Sequence, residues 1–188
     1  MNSTSQRSTS IDPNLRLSPH LVNNEHTLKT MFEHCSDVIF RDVTLQGDTK
    51  LLLIYLDGMI DKDIIQSVIL KPLMYEGIPQ GIGPIDSIAQ MCDQQLFAVL
   101  QTKKVNTFHD AADDILKGNL AILADGEASV LLTNVSQFEA RSIEEPSTEA
   151  SLRGTRESFT ETLRTNTTML RIIVTPNLKM ESFHIGKR

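Results

Sequence analysis

The sequence lacks the features that would place this chain outside the cell or within a membrane. Its 188 residues include no Trp and only two cysteines, Cys35 and Cys92. Two cysteines in separate apolar surroundings do not make a disulfide framework, so a reducing compartment is favoured. The longest apolar run, LLLIYL at 51–56, is far shorter than the roughly 20 residues that cross a bilayer. The polar N-terminus also has no secretory signal core. We expect a soluble chain with no membrane span.

The chain carries little positive charge for its size. The formal net charge is −6 and the pI is about 5.3. Adjacent basic residues occur only at 103–104 and at 187–188. Nucleic acids and anionic membrane surfaces attract clustered Lys and Arg, so we expect no nucleic-acid partner.

The usual signatures of catalysis and metal binding are also missing. His34 and Cys35 are adjacent, but no second His/Cys pair stands at the spacing of a zinc site, and nothing marks the third group that a Cys–His nucleophile needs. GIPQGIGP at 77–84 has the glycines of a phosphate loop without its Lys-Ser/Thr ending. The aspartates within 110–114 fall in the first turns of a predicted helix, where the helix dipole favours negative charge. We therefore assign no catalytic residue, no metal ligand and no cofactor.

Hydrophobic periodicity predicts a unit in which helices and strands alternate. Strands at 38–45 and 50–56 flank a hairpin turn at Gly47, and the second strand is apolar on both faces, as in the middle of a sheet. Asp125-Gly126 marks a second hairpin. Strand–helix alternation of this kind is typical of an α/β domain with a mixed sheet.

Helices are predicted around these strands from apolar spacing and capping residues. The predicted segments are 24–34, a helix capped by Asp61 and ended or kinked by Pro72, 85–94, 108–117 with Gly118 as its C-terminal cap, and 156–170 with an apolar stripe of Phe159, Leu163 and Leu170. Together these patterns predict a disordered polar tail at 1–23, an α/β N-terminal subdomain at 24–140, and an Arg/Glu-rich linker helix with the first strand of an incomplete second α/β subdomain at 141–188.

The charged residues of segment 141–171 are all Arg or Glu. It contains five Arg and five Glu but no Lys and no Asp. Arg carries a planar fork of donors suited to bidentate pairing with carboxylates, whereas Lys is a hydrated point charge. Exposed ion pairs contribute only about 0–1 kcal/mol each. Two interpretations remain open: a partly buried ion-pair network between subdomains or subunits, or an ordinary solvated helix face.

RSIEEPSTEASLRGTRESFTETLRTNTTMLR at 141–171 resembles the signature of the A subunits of GerA-type spore germination receptors. DILKGNLAILADG at 114–126 and NLKMESFHIGKR at 177–188 fit the same family. Thr155, Ser158, Ile172 and Ile173 depart from the family pattern, in which Pro, Gly and two Arg are usual. The resemblance assigns a structural and assembly motif to Arg141, Glu145, Pro146, Glu149, Arg153, Gly154, Arg156, Glu157, Phe159, Glu161, Asn166 and Arg171.

This resemblance implies a non-enzymatic N-terminal module of a nutrient receptor, acting in assembly and signal transmission during spore germination. Its implied partners are a transporter-like B subunit, a lipoprotein C subunit and other A subunits, in a complex at the spore inner membrane with this portion on the spore-core side. Family A subunits continue into a second subdomain and membrane helices. The alternative function is a sensor domain that binds a small-molecule germinant, with the 77–84 loop and the Arg segment lining its cleft.

Overall fold

Five strands form one sheet in the order β1-β2-β4-β5-β3. The computed structural model describes residues 12–45, 49–71, 100–135, 163–173, 179–181 and 183. The strands are β1 (Val38–Thr44), β2 (Lys50–Leu56), β3 (Thr102–Val105), β4 (Leu120–Ala124) and β5 (Val130–Thr133). The helices are α1 (Leu21–Met31), α2 (Lys62–Ile64), which continues as a π-helix over Ile65–Leu70, α3 (Phe108–Leu116) and α4 (Leu163–Ile173).

The α/β fold class is confirmed, but the strand directions differ from the expected mixed sheet. All four pairings among the described strands are antiparallel. β3 and β4 run in the same direction and are joined through α3, which is the strand–helix–strand pattern that predicts parallel pairing. β5 lies between them and pairs with both, so the two parallel strands never become neighbours.

β2 confirms the expectation of a strand with neighbours on both sides, since it pairs with β1 and β4. Successive side chains of a strand point to opposite faces of the sheet. Leu52, Ile54 and Leu56 belong to the core beneath α1 and α3. Leu51, Leu53 and Tyr55 belong to the second core, which the π-helical segment covers. A strand buried on both faces therefore holds the two halves of the unit together.

Local capping chemistry fixes the predicted helix ends. The Asp61 carboxylate accepts hydrogen bonds from the N–H groups of Asp63 and Ile64 at 2.9 and 3.1 Å, which satisfies donors at the start of α2. Gly118 follows α3 with a φ of +91°, the left-handed conformation typical of a helix C-terminus. Gly126 adopts a φ of +90° in the second hairpin. These three predicted positions are confirmed.

Residues 12–23 are ordered, so the predicted disordered tail at 1–23 was drawn too long. The N–H of Leu17 donates to the Asn106 carbonyl, and the N–H of Phe108 donates to the Leu15 carbonyl. Leu17 and Leu21 are buried in the core, and α1 begins at Leu21 rather than at 24. Leu17 and Leu21 anchor this otherwise polar segment because they pack in the apolar core.

The remaining sequence predictions concern turns, loops and helices elsewhere in the chain. The Gly47 turn, Pro72, the 77–84 loop and the 85–94 helix lie outside the described residues. β3 was missed, because TKKV has too few apolar residues to show a period. In α4, Leu163 is 77% exposed, whereas Thr168, Met169 and Arg171 are buried. Leu170 is half-buried, so the predicted stripe is wrong at Leu163. The proposed second subdomain stays a prediction.

Candidate assembly site at the α1–β1 loop

The loop between α1 and β1, residues 32–37, is held by successive tight turns. The N–H of Phe32 donates to the Leu28 carbonyl at 3.0 Å and closes α1. The N–H of Cys35 donates to the Phe32 carbonyl, and the N–H of Val38 donates to the Cys35 carbonyl. The Asp37 carbonyl already accepts from the N–H of Asp57 at 2.8 Å, so the loop ends inside the sheet. Backbone hydrogen bonds therefore fasten this loop to the first unit.

Arg171 of α4 binds this loop through a bidentate ion pair with Asp37. Its Nε lies 2.6 Å from Oδ2 of Asp37, and its Nη2 lies 2.7 Å from Oδ1. The Arg171 side chain is 1% exposed and that of Asp37 is 15% exposed. Two parallel N–H···O bonds fix both distance and orientation, which a Lys could not do. The pair joins residues 134 positions apart in the sequence.

The charge of Arg171 is secured by its surroundings. Burial by itself lowers the pKa of Arg171, but the hydrogen bond and negative charge of Asp37 outweigh burial, and the Cys35 side chain adds to the same effect, so that the pKa is raised above its ordinary value. Cys35 is a half-buried free thiol. A buried guanidinium that cannot lose its proton needs a partner to remain stable, and Asp37 supplies one.

A second segment reaches the same loop from further along the chain. Residues 179–181, called the strap below, run parallel to residues 34–36 through a bridge between Cys35 and Met180. The Met180 carbonyl accepts from the N–H and the hydroxyl of Ser36, both at 2.8 Å, and the N–H of Met180 donates to the His34 carbonyl at 3.1 Å. The His34 ring contacts the Glu181 carboxylate through Nδ1 and Oε1. Two separate parts of the 141–188 region therefore dock on one loop.

The structure locates only part of the predicted assembly motif. Arg171 is buried in the pair just described, and Asn166 is half-buried on α4. The other ten motif residues, from Arg141 to Glu161, lie outside the described residues, so their role stays a prediction. The residues that bind α4 and the strap, Asp37, Ser36 and His34, were not predicted from the sequence. An acidic residue beside a strand is too common to signal a buried ion pair, and the His34-Cys35 dipeptide was considered only for metal binding and catalysis.

Other polar clusters in the described part of the chain stabilise the fold. Lys103 Nζ binds Asp114 Oδ2 at 2.7 Å and ties β3 to α3. Thr107 caps α3 by accepting from the N–H of Asp110. Within the described residues, no group of three or more His, Cys, Asp or Glu side chains is arranged to hold a metal ion. No helix in these ranges is both long and apolar enough to cross a membrane.

The fold matches that of a solved structure. The crystal structure of the N-terminal domain of the A subunit of the Bacillus megaterium spore germinant receptor GerK3 superposes with a TM-score of 0.67 at 21% sequence identity. The match covers 92% of this chain and 62% of that chain. The two chains share an α/β fold.

Sequence comparison then gives the family. The profile described as "Bacillus/Clostridium GerA spore germination protein" matches residues 26–188. The chain therefore belongs to the GerA spore germination protein family, which confirms the resemblance drawn from the Arg/Glu segment.

Curated relatives agree with this assignment. "Uncharacterized membrane protein YfkQ" of Bacillus subtilis (strain 168) is 34% identical over 173 residues, which is 92% of this chain and 33% of that protein. "Spore germination protein KA" of the same organism is 33% identical over 90% of this chain and 31% of its own length. "Spore germination protein GerLA" of Bacillus cereus is 28% identical over 81% of this chain and 31% of its own length. The chain spans about a third of the length of these relatives.

Proposed function

We propose that this chain is the N-terminal module of a spore germinant receptor A subunit, and that it acts in receptor assembly and signal transmission without catalysing a reaction. Membership of the GerA family and likeness to the GerK3 A-subunit domain support the place of the module in a receptor. The observation that carries the assembly role is the buried Arg171–Asp37 pair. It joins the family's Arg/Glu segment to the first folded unit.

A buried ion pair suits a junction because it contributes specificity more than net stability. Complementary charges fix register and reject wrong arrangements, while desolvation offsets most of their attraction. Removing one partner of a buried ion pair is strongly destabilising, so α4 has one well-defined position on the 32–37 loop. A shift of α4 must move Asp37 or break the pair, and Asp37 borders both β1 and β2. The junction thus provides a physical path from the C-terminal segments to the sheet.

The same geometry favours a junction over a binding site for a germinant carboxylate at Arg171. Both Nε and Nη2 of its guanidinium already donate to Asp37, and the side chain is almost fully buried. A ligand would have to displace a well-oriented internal partner. Transporter-like B subunits, lipoprotein C subunits and further A subunits are the partners we propose, in a complex at the spore inner membrane with this module on the core side.

Charge reversal in the full-length receptor tests this role. Arg171→Glu and Asp37→Arg should each reduce nutrient-triggered germination or receptor accumulation in spores, because each places two like charges in a buried site. The combined exchange restores opposite charges and should recover part of the lost response. Lys117→Glu, which breaks an exposed i,i+4 pair with Asp113, is the matched control and should behave as wild type. Normal germination in both single variants would refute the proposal, and Arg153→Glu and Arg156→Glu extend the test to the rest of the motif.

One observation favours the alternative, a sensor domain that binds a small-molecule germinant. A depression of about 560 Å³ next to the start of α3 carries both signs of charge, and its polar lining comprises Lys104, Asn106, Asp110, Glu127 and Ser129. Such a site could pair with the ammonium and carboxylate groups of an amino acid. Titration calorimetry of the chain with common germinants decides: heat that is lost in Lys104→Ala supports a sensor, and no heat with any germinant removes it.

A further inference from the structure

The N-terminal segment reaches the hairpin between β4 and β5. Residues 12–20, called the arm below, first bond to the corner between β3 and α3. At the hairpin, the N–H of Gly126 donates to the Pro19 carbonyl at 2.8 Å. Where the arm joins α1, the N–H of Leu21 donates to Oδ1 of Asp125 at 3.1 Å. The N-terminal segment therefore binds both residues of the Asp125-Gly126 pair.

The groups that these bonds hold are the two that react when an Asp-Gly sequence isomerises. The backbone nitrogen of the glycine attacks Cγ of the aspartate side chain, which closes a succinimide ring and releases a water molecule. Water then opens the ring at either carbonyl and gives aspartate again or isoaspartate. Glycine favours ring closure because it has no Cβ to hinder the approach and gives the backbone wide conformational freedom. Asp125 and Gly126 are both exposed, so water reaches them.

We propose that Asp125-Gly126 is an isomerisation site that the arm keeps closed. In the docked arrangement the N–H of Gly126 points to the Pro19 carbonyl, so its nitrogen is directed at an acceptor other than the Asp125 carboxyl group. That carboxyl group is held in turn by the N–H of Leu21. A bond between the nitrogen and Cγ forms only after both contacts open. The arm must therefore lift from the hairpin before the ring closes, and the rate of isomerisation follows this local opening.

Isoaspartate at position 125 would not restore these contacts. The main chain would then run through the side-chain methylene, so the turn would be longer and the free carboxylate would leave from Cα. The N–H of Asp125 also donates to the Lys50 carbonyl at 3.0 Å, so a longer turn would disturb the place where β2 meets β4. Isomerisation would thus convert a transient opening of the arm into a lasting one.

The chain contains one other Asp-Gly pair, Asp57-Gly58, which is held without the arm. The N–H of Asp57 donates to the Asp37 carbonyl at 2.8 Å, and its Oδ1 lies 3.0 Å from Lys62 Nζ. These partners belong to the 32–37 loop and to the start of α2, so we expect Asp57-Gly58 to react only on global unfolding. It is an internal reference for the first pair.

Peptide mapping that separates isoaspartate from aspartate measures both reactions in the 188-residue chain, kept folded at neutral pH. Leu17 anchors the arm with only 6% of its side chain exposed. Leu17→Ala should therefore loosen the arm and raise the rate at Asp125-Gly126 at least about fivefold, while the rate at Asp57-Gly58 stays unchanged. Leu17→Val, which removes less of the side chain, should give a smaller rise at the same pair. In urea both pairs should react at similar rates, because neither keeps its partners.

Matched variants separate opening of the arm from general instability. Leu15→Ala makes the same substitution in the same segment at a side chain that is 42% exposed, and its rate should stay within about twofold of wild type. Asp125→Glu keeps the carboxylate but requires a larger ring, so it should abolish the product at this turn in the Leu17→Ala background. An unchanged rate in Leu17→Ala, or a wild-type rate as high as that in urea, would overturn the proposal. Equal acceleration at both Asp-Gly pairs would also overturn it, because the reaction would then follow global unfolding.

Discussion

Removing the carboxylate of Asp37 should destabilise this chain more than removing the guanidinium of Arg171. Asp37→Ala leaves Arg171 charged at 1% exposure, because the ordinary pKa of arginine is too high for the side chain to lose its proton near neutral pH. Removing the bidentate carboxylate that faces a buried charge costs about 3–5 kcal/mol. Arg171→Met leaves a carboxylate that is 15% exposed and can regain water, so its loss should lie near or below about 3 kcal/mol.

Urea unfolding measures both losses. With an m-value of about 1–3 kcal/mol/M, a loss of about 3 kcal/mol lowers the midpoint by about 1–3 M. The double variant Asp37→Ala/Arg171→Met removes both charges together, so it should be more stable than the sum of the single losses predicts, by at least about 1.5 kcal/mol. The slope should stay constant, which shows that stability and not compactness has changed.

The exposed Lys117–Asp113 pair is the internal control for this cycle. It joins residues of the α3 region at i,i+4 with both side chains about half exposed, so its removal should leave the urea midpoint close to that of the wild type. Additive losses at positions 37 and 171, or single losses as small as those of the control pair, would show that the buried geometry has no energetic coupling. The assembly argument would then have no physical support at this pair.

Two further predictions follow from the described contacts. Burial lowers the pKa of Arg171, but Asp37 raises it by more, so the stability that Arg171 contributes is present at every pH below the ordinary arginine pKa and is lost only above it. The difference in unfolding free energy between wild type and Arg171→Met should therefore stay constant from pH 7 to 10. A difference halved by pH 10 would contradict this. Gly118→Ala and Gly126→Ala both place alanine at a φ near +90°, which costs about 1–2 kcal/mol at each position. A Cβ at 118 would also lie 2.6 Å from Met59 Cε, whereas a Cβ at 126 would have no atom within 4 Å. Gly118→Ala should therefore unfold at lower urea than Gly126→Ala, and Met59→Ala should close that gap; equal midpoints in the two single variants would refute the contact.

Most of the first unit could be predicted because its signals are local. β2 reads as a buried strand from its apolar run, Asp61 and Gly118 mark helix ends by capping chemistry, and Asp125-Gly126 marks a hairpin. Long-range choices could not be predicted in this way. The sheet is antiparallel because β5 lies between β3 and β4. No residue pattern in these three strands specifies which strand pairs with which.

The assembly site was harder to predict from the sequence, because its halves lie far apart in the chain. Arg171 was noted within the Arg/Glu motif, but Asp37 is an isolated acid beside β1, 134 positions away. The periodicity of 156–170 pointed to Leu163, yet the buried face of α4 carries Thr168, Met169 and Arg171. A helix face that carries Thr and Arg can be buried when a carboxylate pairs with the Arg, and hydrophobic patterning then selects the wrong side.

The two contacts on the 32–37 loop respond to different conditions, and this difference is the physical basis of the proposed relay. The Arg171–Asp37 pair is buried, so salt and pH within the ordinary range change it little. The contact between His34 and Glu181 is exposed, so solvent and salt reach it. A junction with one constant contact and one adjustable contact can alter the course of the strap while α4 remains seated. Since α1 and β1 share this loop, a change at the strap would reach the sheet through residues that are already hydrogen-bonded to it.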